Sequence, residues 1–207
     1  MSKNDLVIAT GNPGKVQEFN KILGEDSFAF HTLRDIGFNA AIVENGSTFA
    51  ANAEIKAQAV ACFLREQGLD WPVLADDSGL EVSALGGAPG IFTARYAGEG
   101  ASDEENYRKL LQNLSGNRDR QARFFCALCW LRPAELEQPG SVHLFYGECQ
   151  GQILESPRGD QGFGYDPVFQ PQGYPRSFAE MTHEEKKALS HRGAAIRELR
   201  AWLNKSS

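Results

Sequence analysis

Short apolar runs alternate along this chain with glycine-rich loops and with longer stretches of helical period. Leu6-Val7-Ile8-Ala9 is apolar and strand-length, Thr10-Gly11-Asn12-Pro13-Gly14-Lys15 follows, and Val16, Phe19, Ile22 and Leu23 recur at helical spacing. This reads as strand, glycine loop, helix. Residues 28–31 and 40–43 read as short strands, the second running into Glu44-Asn45-Gly46-Ser47-Thr48. Ser47 or Thr48 can cap a long helix from Phe49 to about Gln67, with Gly68 placed to end it. At 100° per residue Phe49, Ala53, Val60, Phe63 and Leu64 form one apolar stripe, and Asn52 and Lys56 fall inside it. Val73-Leu74-Ala75 reads as a buried strand that ends in Asp76-Asp77-Ser78-Gly79, with Leu80-Glu81-Val82 as a further strand.

Beyond Gly86-Gly87-Ala88-Pro89-Gly90, which is too glycine-rich for anything but a turn or loop, Ser102-Asp103-Glu104-Glu105 is a capping box. Tyr107, Leu110, Leu111 and Leu114 give the helix behind it an apolar face. Arg118, Arg120 and Arg123, interleaved with Asp119, read as a solvated linker into the apolar run 124–131, which should form a hairpin with 142–149 and make the sheet mixed. Gly159-Asp160-Gln161-Gly162-Phe163-Gly164-Tyr165-Asp166-Pro167 combines glycines with two aromatics, suited either to a tight turn or to stacking on a flat heterocycle. Thr182-His183-Glu184-Glu185 opens a last helical pattern, in which Lys186 and Ser190 share a face and His191-Arg192 adjoin the small Gly193.

Composition adds exclusions. At 207 residues one domain, of one or two lobes, is expected, and a hydrophobic share of 42% with 23% charged residues argues for a folded globule. No apolar run approaches a membrane span, and residues 6–9 are too short for a signal peptide, so the expected location is the cytoplasm. A formal net charge of -6 argues against a nucleic-acid-binding surface. Cys126 and Cys129 match C-x-x-C in form, but on a strand they face opposite sides, so buried free thiols are expected.

The candidate chemistry lies where charge meets apolar sequence. Asp76 and Asp77 need an opposing charge, a shared proton or a metal ion, of which a divalent metal is the working expectation. Glu44 repeats the pattern of an acid after an apolar run. Lys56 either snorkels to water or reaches a site that contains anions. The loop at 10–15 offers helix N–H groups to an anion, but its G-x-x-G-K spacing with Val16 next is not a Walker motif.

The order of these motifs resembles the inosine triphosphate pyrophosphatases, enzymes that clear deaminated nucleotides such as ITP, dITP and XTP. The resemblance runs from Thr10-Gly11-Asn12-Pro13-Gly14-Lys15 through Glu44-Asn45-Gly46-Ser47-Thr48-Phe49, Asn52-Ala53 with Lys56-Ala57, and Ala75-Asp76-Asp77-Ser78-Gly79-Leu80. It continues through Gly86-Gly87-Ala88-Pro89-Gly90 and Gly162-Phe163-Gly164-Tyr165-Asp166-Pro167 to Ser190-His191-Arg192-Gly193. It implies an α/β fold with an elongated mixed sheet flanked by helices, in two lobes with the active-site cleft between them, and a single two-lobed domain over 1–207. It also implies a homodimer that needs Mg²⁺ and cleaves a nucleoside triphosphate between its α and β phosphorus atoms.

Carried over residue by residue, the resemblance makes Glu44 and Asp77 metal ligands with Asp76 close by, and Asp77 the base for the attacking water. Thr10, Asn12, Lys15, Lys56 and Lys186 would hold the triphosphate, and Gly11, Pro13, Gly14 and Ser78 would also bind substrate. Phe163, Gly164, Tyr165, Asp166, His191 and Arg192 would take the base. Phe163 or Tyr165 would stack on the purine. His191 or Arg192, donating to the purine 6-carbonyl, would meet a donor when adenine is bound. Two rivals keep parts of this site: a pyrophosphatase of pyrimidine or standard nucleotides, and a nucleotide-binding protein without turnover. The match of Asp77-Ser78-Gly79 to the aspartic protease signature fails because that chemistry needs two such loops.

Overall fold

The computed structural model describes residues 4–23, 28–138 and 140–206. Strand β1 (Asn4–Ile8) leads through the glycine loop into helix α1 (Pro13–Leu23), and β2 (Phe28–Thr32) lies parallel to β1. Helix α2 (Phe49–Glu66) follows, then β3 (Val73–Val82), α3 (Asp103–Asn113), β4 (Gln121–Leu131), β5 (His143–Ile153) and β6 (Phe169–Pro171). Helices α4 (His183–Leu189) and α5 (His191–Ser206) close the chain. The strands form one six-stranded sheet in the order β2-β1-β3-β4-β5-β6. It is mixed, because β1 is parallel to β2 and β3 while β5 and β6 are antiparallel.

The chain divides into two compact units. The first holds residues 1–77, 127–146 and 195–207, and the second holds 78–126 and 147–194. In the first, Leu6, Val7, Ile8, Phe19, Val60, Leu64, Val73 and Leu74 are buried, as the strand and helix periods predict. In the second, Leu80, Leu110, Leu114, Phe124, Tyr165, Phe169 and Phe178 belong to one core cluster.

Helix boundaries follow local chemistry. Thr48 caps α2 by accepting the Ala51 N–H at 3.1 Å. Past its C-terminal end Gly68 takes φ +72°, in the left-handed region that glycine enters without penalty. Capping boxes close at Ser102 with Glu105 and at Thr182 with Glu185.

Four expectations need correction. Residues 40–43 form no strand, and Val43 is 72% exposed, because no neighbouring strand pairs with them among the described residues. Asp76-Asp77 does not end a strand, and Leu80-Glu81-Val82 is no separate one, since β3 runs unbroken from Val73 to Val82. Of the three arginines Arg118 is exposed as expected, but Arg120 and Arg123 are half-buried rather than solvated. Arg120 donates to the carbonyls of Ile153 and Leu154 at 2.5 and 2.7 Å, while Arg123 lies within β4 and pairs with Glu81 and Glu148 at 2.6 and 2.8 Å. Ser190 does not share a helix face with Lys186. It stands between α4 and α5 with extended backbone, and its hydroxyl accepts the Gly193 N–H at 3.0 Å.

Candidate active site

The acidic pair sits just beyond the end of a parallel strand. The register of β1 on β3 stops at Ile8 opposite Leu74, and the Ala9 N–H closes it by donating to the Leu74 carbonyl at 2.8 Å. Asp76 and Asp77 follow on β3, level with the loop that leaves β1. Carboxyl ends of parallel strands are where such sheets place ligands. Side chains alternate along a strand, so the two carboxylates point to opposite faces and find different partners. The Lys15 ammonium lies 2.9 Å from Asp76 Oδ2. The Lys56 ammonium lies 3.4 Å from Asp77 Oδ1 and 3.0 Å from Glu44 Oε2.

Asn12 builds the glycine loop, its side-chain oxygen accepting the N–H groups of Gly14 and Lys15 at 2.9 and 3.3 Å. The Asn12 N–H in turn donates to Thr10 Oγ1 at 3.2 Å. This starts α1 and carries the Lys15 side chain to β3. From α2, Lys56 reaches the acids that make its burial tolerable, which settles the choice between snorkelling and an anionic site. Burial opposes the Lys56 charge, but Asp77, Asp76 and Glu44 outweigh it and hold its pKa above the usual lysine value. For Asp77, burial pushes the carboxyl up, and Lys56, the Asn52 amide and Lys15 pull against it without cancelling it. Lys56 thus stays charged, and Asp77 is a stronger base than an exposed aspartate.

Among the described residues no group of three or more His, Cys, Asp or Glu side chains is placed to hold a metal ion. Glu44 and Asp77 nonetheless fit a hard divalent cation. Two carboxylate oxygens face one positive charge, the kind of hard oxygen donors that such a cation takes.

The second unit brings together the other predicted residues. Asp166 is buried, and its Oδ2 accepts the Phe163 N–H at 2.9 Å and the Lys186 ammonium at 2.5 Å. The Lys186 nitrogen also lies 4.8 Å from the Phe163 ring centroid. Gly164 donates its N–H to Asp103 at 2.6 Å. Tyr165 is only 3% exposed and its hydroxyl donates to the Thr93 carbonyl at 2.9 Å, so it is a core residue, whereas Phe163 is half-buried. The His191 ring stacks on Phe124 at 4.8 Å and 11°. Arg192 is 2% exposed, its guanidinium donates to Ser78 Oγ at 3.0 Å, and burial pulls its pKa down to about 10.

A sequence model of the Ham1 family matches residues 6–202. The chain belongs to the Ham1 family. It is similar to a dITP/XTP pyrophosphatase of Halalkalibacterium halodurans, 44% identical over 202 residues that cover 97% of this chain and 99% of that protein. Two solved structures are similar throughout. The Ham1 protein of Staphylococcus aureus gives a TM-score of 0.85 at 38% identity, covering 99% of this chain and all of that one. A HAM1 protein from Coxiella burnetii gives 0.86 at 38%, covering 98% and 99%. The mixed six-stranded sheet flanked by helices is thus the Ham1 architecture, as the resemblance implied.

Two residues, one in each unit, carry contacts that the sequence did not assign. Asn52 joins Asp77 to the loop after Glu44, and its place in an apolar helix stripe was the signal. Asp103 anchors Gly164, but its capping-box position already accounted for an acid there, so no signal remained.

Proposed function

We propose that this chain hydrolyses deaminated purine nucleoside triphosphates (ITP, dITP and XTP) to the monophosphate and pyrophosphate, with Mg²⁺ as cofactor. The observation that carries the reading is the convergence of Glu44 Oε2, Asp77 Oδ1 and Lys56 Nζ at one point beside the glycine loop. The name of the Halalkalibacterium halodurans relative, matched over nearly its whole length, supports the same substrate class.

In this reading Lys15, Lys56 and the backbone of residues 10–15 bind the triphosphate. Asp76 keeps Lys15 in place. Glu44 and Asp77 would hold the magnesium ion, which when bound neutralises phosphate charge and polarises the anhydride oxygens. Asp77 accepts the proton of the attacking water. The water oxygen bonds to the α phosphorus, the α–β anhydride bond breaks and pyrophosphate leaves. Phe163 stacks on the purine, and His191 or Arg192 donates to the 6-carbonyl. An adenine amine there would leave buried donors facing each other, a mismatch worth about 10⁴ or more in specificity. The active form is a cytoplasmic homodimer, as the family resemblance implies.

The test is product analysis with ITP, XTP, GTP, ATP, dTTP and UTP, with and without Mg²⁺. Pyrophosphate release from ITP and XTP in preference to the others is expected. Release of single phosphate, indifference to the base, or full activity in excess chelator would refute the proposal.

A further inference from the structure

Asn52 is 2% exposed in the middle of α2, where an unsatisfied carboxamide would be costly. Both ends of it are engaged. Its Oδ1 accepts the Gly46 N–H at 2.8 Å, and its Nδ2 donates to Asp77 Oδ2 at 3.0 Å. Asn52 and Lys56 are four residues apart and so share a helix face. They span the same two segments, the Glu44 loop and β3, one through hydrogen bonds and the other through charge.

The division of labour at Asp77 is specific. Asn52 takes Oδ2, and Oδ1 is the oxygen that lies 3.4 Å from the Lys56 ammonium, which Glu44 Oε2 also approaches at 3.0 Å. On the loop side the fit is close. A Cβ on Gly46 would stand 2.7 Å from Asn52 Oδ1 and 2.8 Å from the Ala51 Cβ, so only glycine lets the loop come this near. A carboxamide carries an acceptor and a donor as two separate atoms on one carbon, so it can serve the loop and β3 at once. Aspartate could not donate to Asp77, and leucine could do neither.

We propose that Asn52 is the positioning residue of the cation site, locking the spacing of Glu44 and Asp77 and thereby setting the affinity for a divalent ion. The inference rests on Glu44 and Asp77 being the ligands, as read above. Residues that orient ligands in this way change metal affinity by about 10–100-fold when replaced.

The experiment titrates nucleotide-free protein with Mn²⁺, which takes the same oxygen donors, and follows loss of the free-ion signal by electron paramagnetic resonance. Wild type, Asn52→Leu, Asn52→Ser and Glu44→Gln are compared, with circular dichroism to check each fold. Asn52→Ser leaves room for water and decides the matter if Asn52→Leu does not fold. Weakening of Mn²⁺ binding by about 10–100-fold in folded Asn52 variants, alongside a loss in Glu44→Gln, is the expected result. Wild-type affinity in Asn52→Ser with loss in Glu44→Gln would make Asn52 structural only. Unchanged affinity in Glu44→Gln would overturn the ligand assignment, and this inference with it.

Discussion

Replacing Lys186 by methionine separates two roles that this lysine can have, holding a phosphate and holding the aromatic loop. Lys186 and Asp166 are 9% and 3% exposed, and they meet at 2.5 Å. Methionine replaces most of the apolar stem, so the packing loss is small. What goes is the charge that offsets a buried carboxylate. Breaking one side of such a pair costs about 3–5 kcal/mol, because the other charge stays buried. The lost contacts to the Phe163 and Phe178 rings, at 4.8 and 5.6 Å, fall within that figure. For a chain of this size the drop corresponds to a melting temperature about 10 °C lower.

The double variant Lys186→Met with Asp166→Asn is the internal control. The asparagine oxygen still accepts the Phe163 N–H but carries no charge, so most of the lost stability should return. Urea unfolding followed by circular dichroism measures both. Acidity gives a second check. Burial already holds the Asp166 carboxyl above the usual 3.8, and without Lys186 that shift grows. A carboxyl raised in the folded state favours folding below its unfolded pKa and loses that advantage as pH rises through the folded value. The deficit of the single variant should therefore be small below about pH 4 and grow toward neutrality. A single variant within about 1 kcal/mol of wild type at pH 8, or a double no better than the single, would refute the buried-pair argument. A KM for ITP that stays raised in the double variant would assign Lys186 a direct contact with phosphate as well.

Lys56→Met should remain folded, since Asp77 keeps its Asn52 hydrogen bond and Glu44 reaches water. Its KM for ITP should rise about 10–100-fold, the worth of a charge-assisted contact to phosphate, and unchanged steady-state kinetics would limit Lys56 to the ion pairs seen here. Arg192→Lys loses the planar fork that reaches Ser78, so the kcat/KM preference for ITP over ATP should fall about tenfold or more; an unaltered ratio would leave selection to His191. Cys62 is exposed, whereas burial pushes Cys149 up to about 11 and Cys129 up to about 12. In a thiol-reagent titration at pH 8, Cys62 should react at once in native protein and the buried cysteines only in denaturant. Rapid native labelling of Cys126 or Cys129 would show that β4 is less protected than its burial implies.

The sequence was most informative where chemistry is local, and two of its failures share one cause. Caps of α2, α3 and α4 were legible because donor and acceptor stand three residues apart. Arg120 was misread as solvated because its acceptors, Ile153 and Leu154, lie on a distant part of the chain. The same holds for the acidic pair. Two adjacent aspartates looked like a strand end because nothing nearby in sequence offsets their charge, yet Lys15 and Lys56 do so from other elements and β3 continues through them. Period-two alternation, applied to the pair itself, carries the argument further than the search for a shared counter-charge. Neighbouring residues on a strand cannot serve one point on one face. Asp77 therefore joins Glu44 and Lys56, while Asp76 serves the glycine loop through Lys15. Removing the Asp76 charge should accordingly disturb substrate binding through Lys15, with divalent-ion affinity left to Glu44 and Asp77.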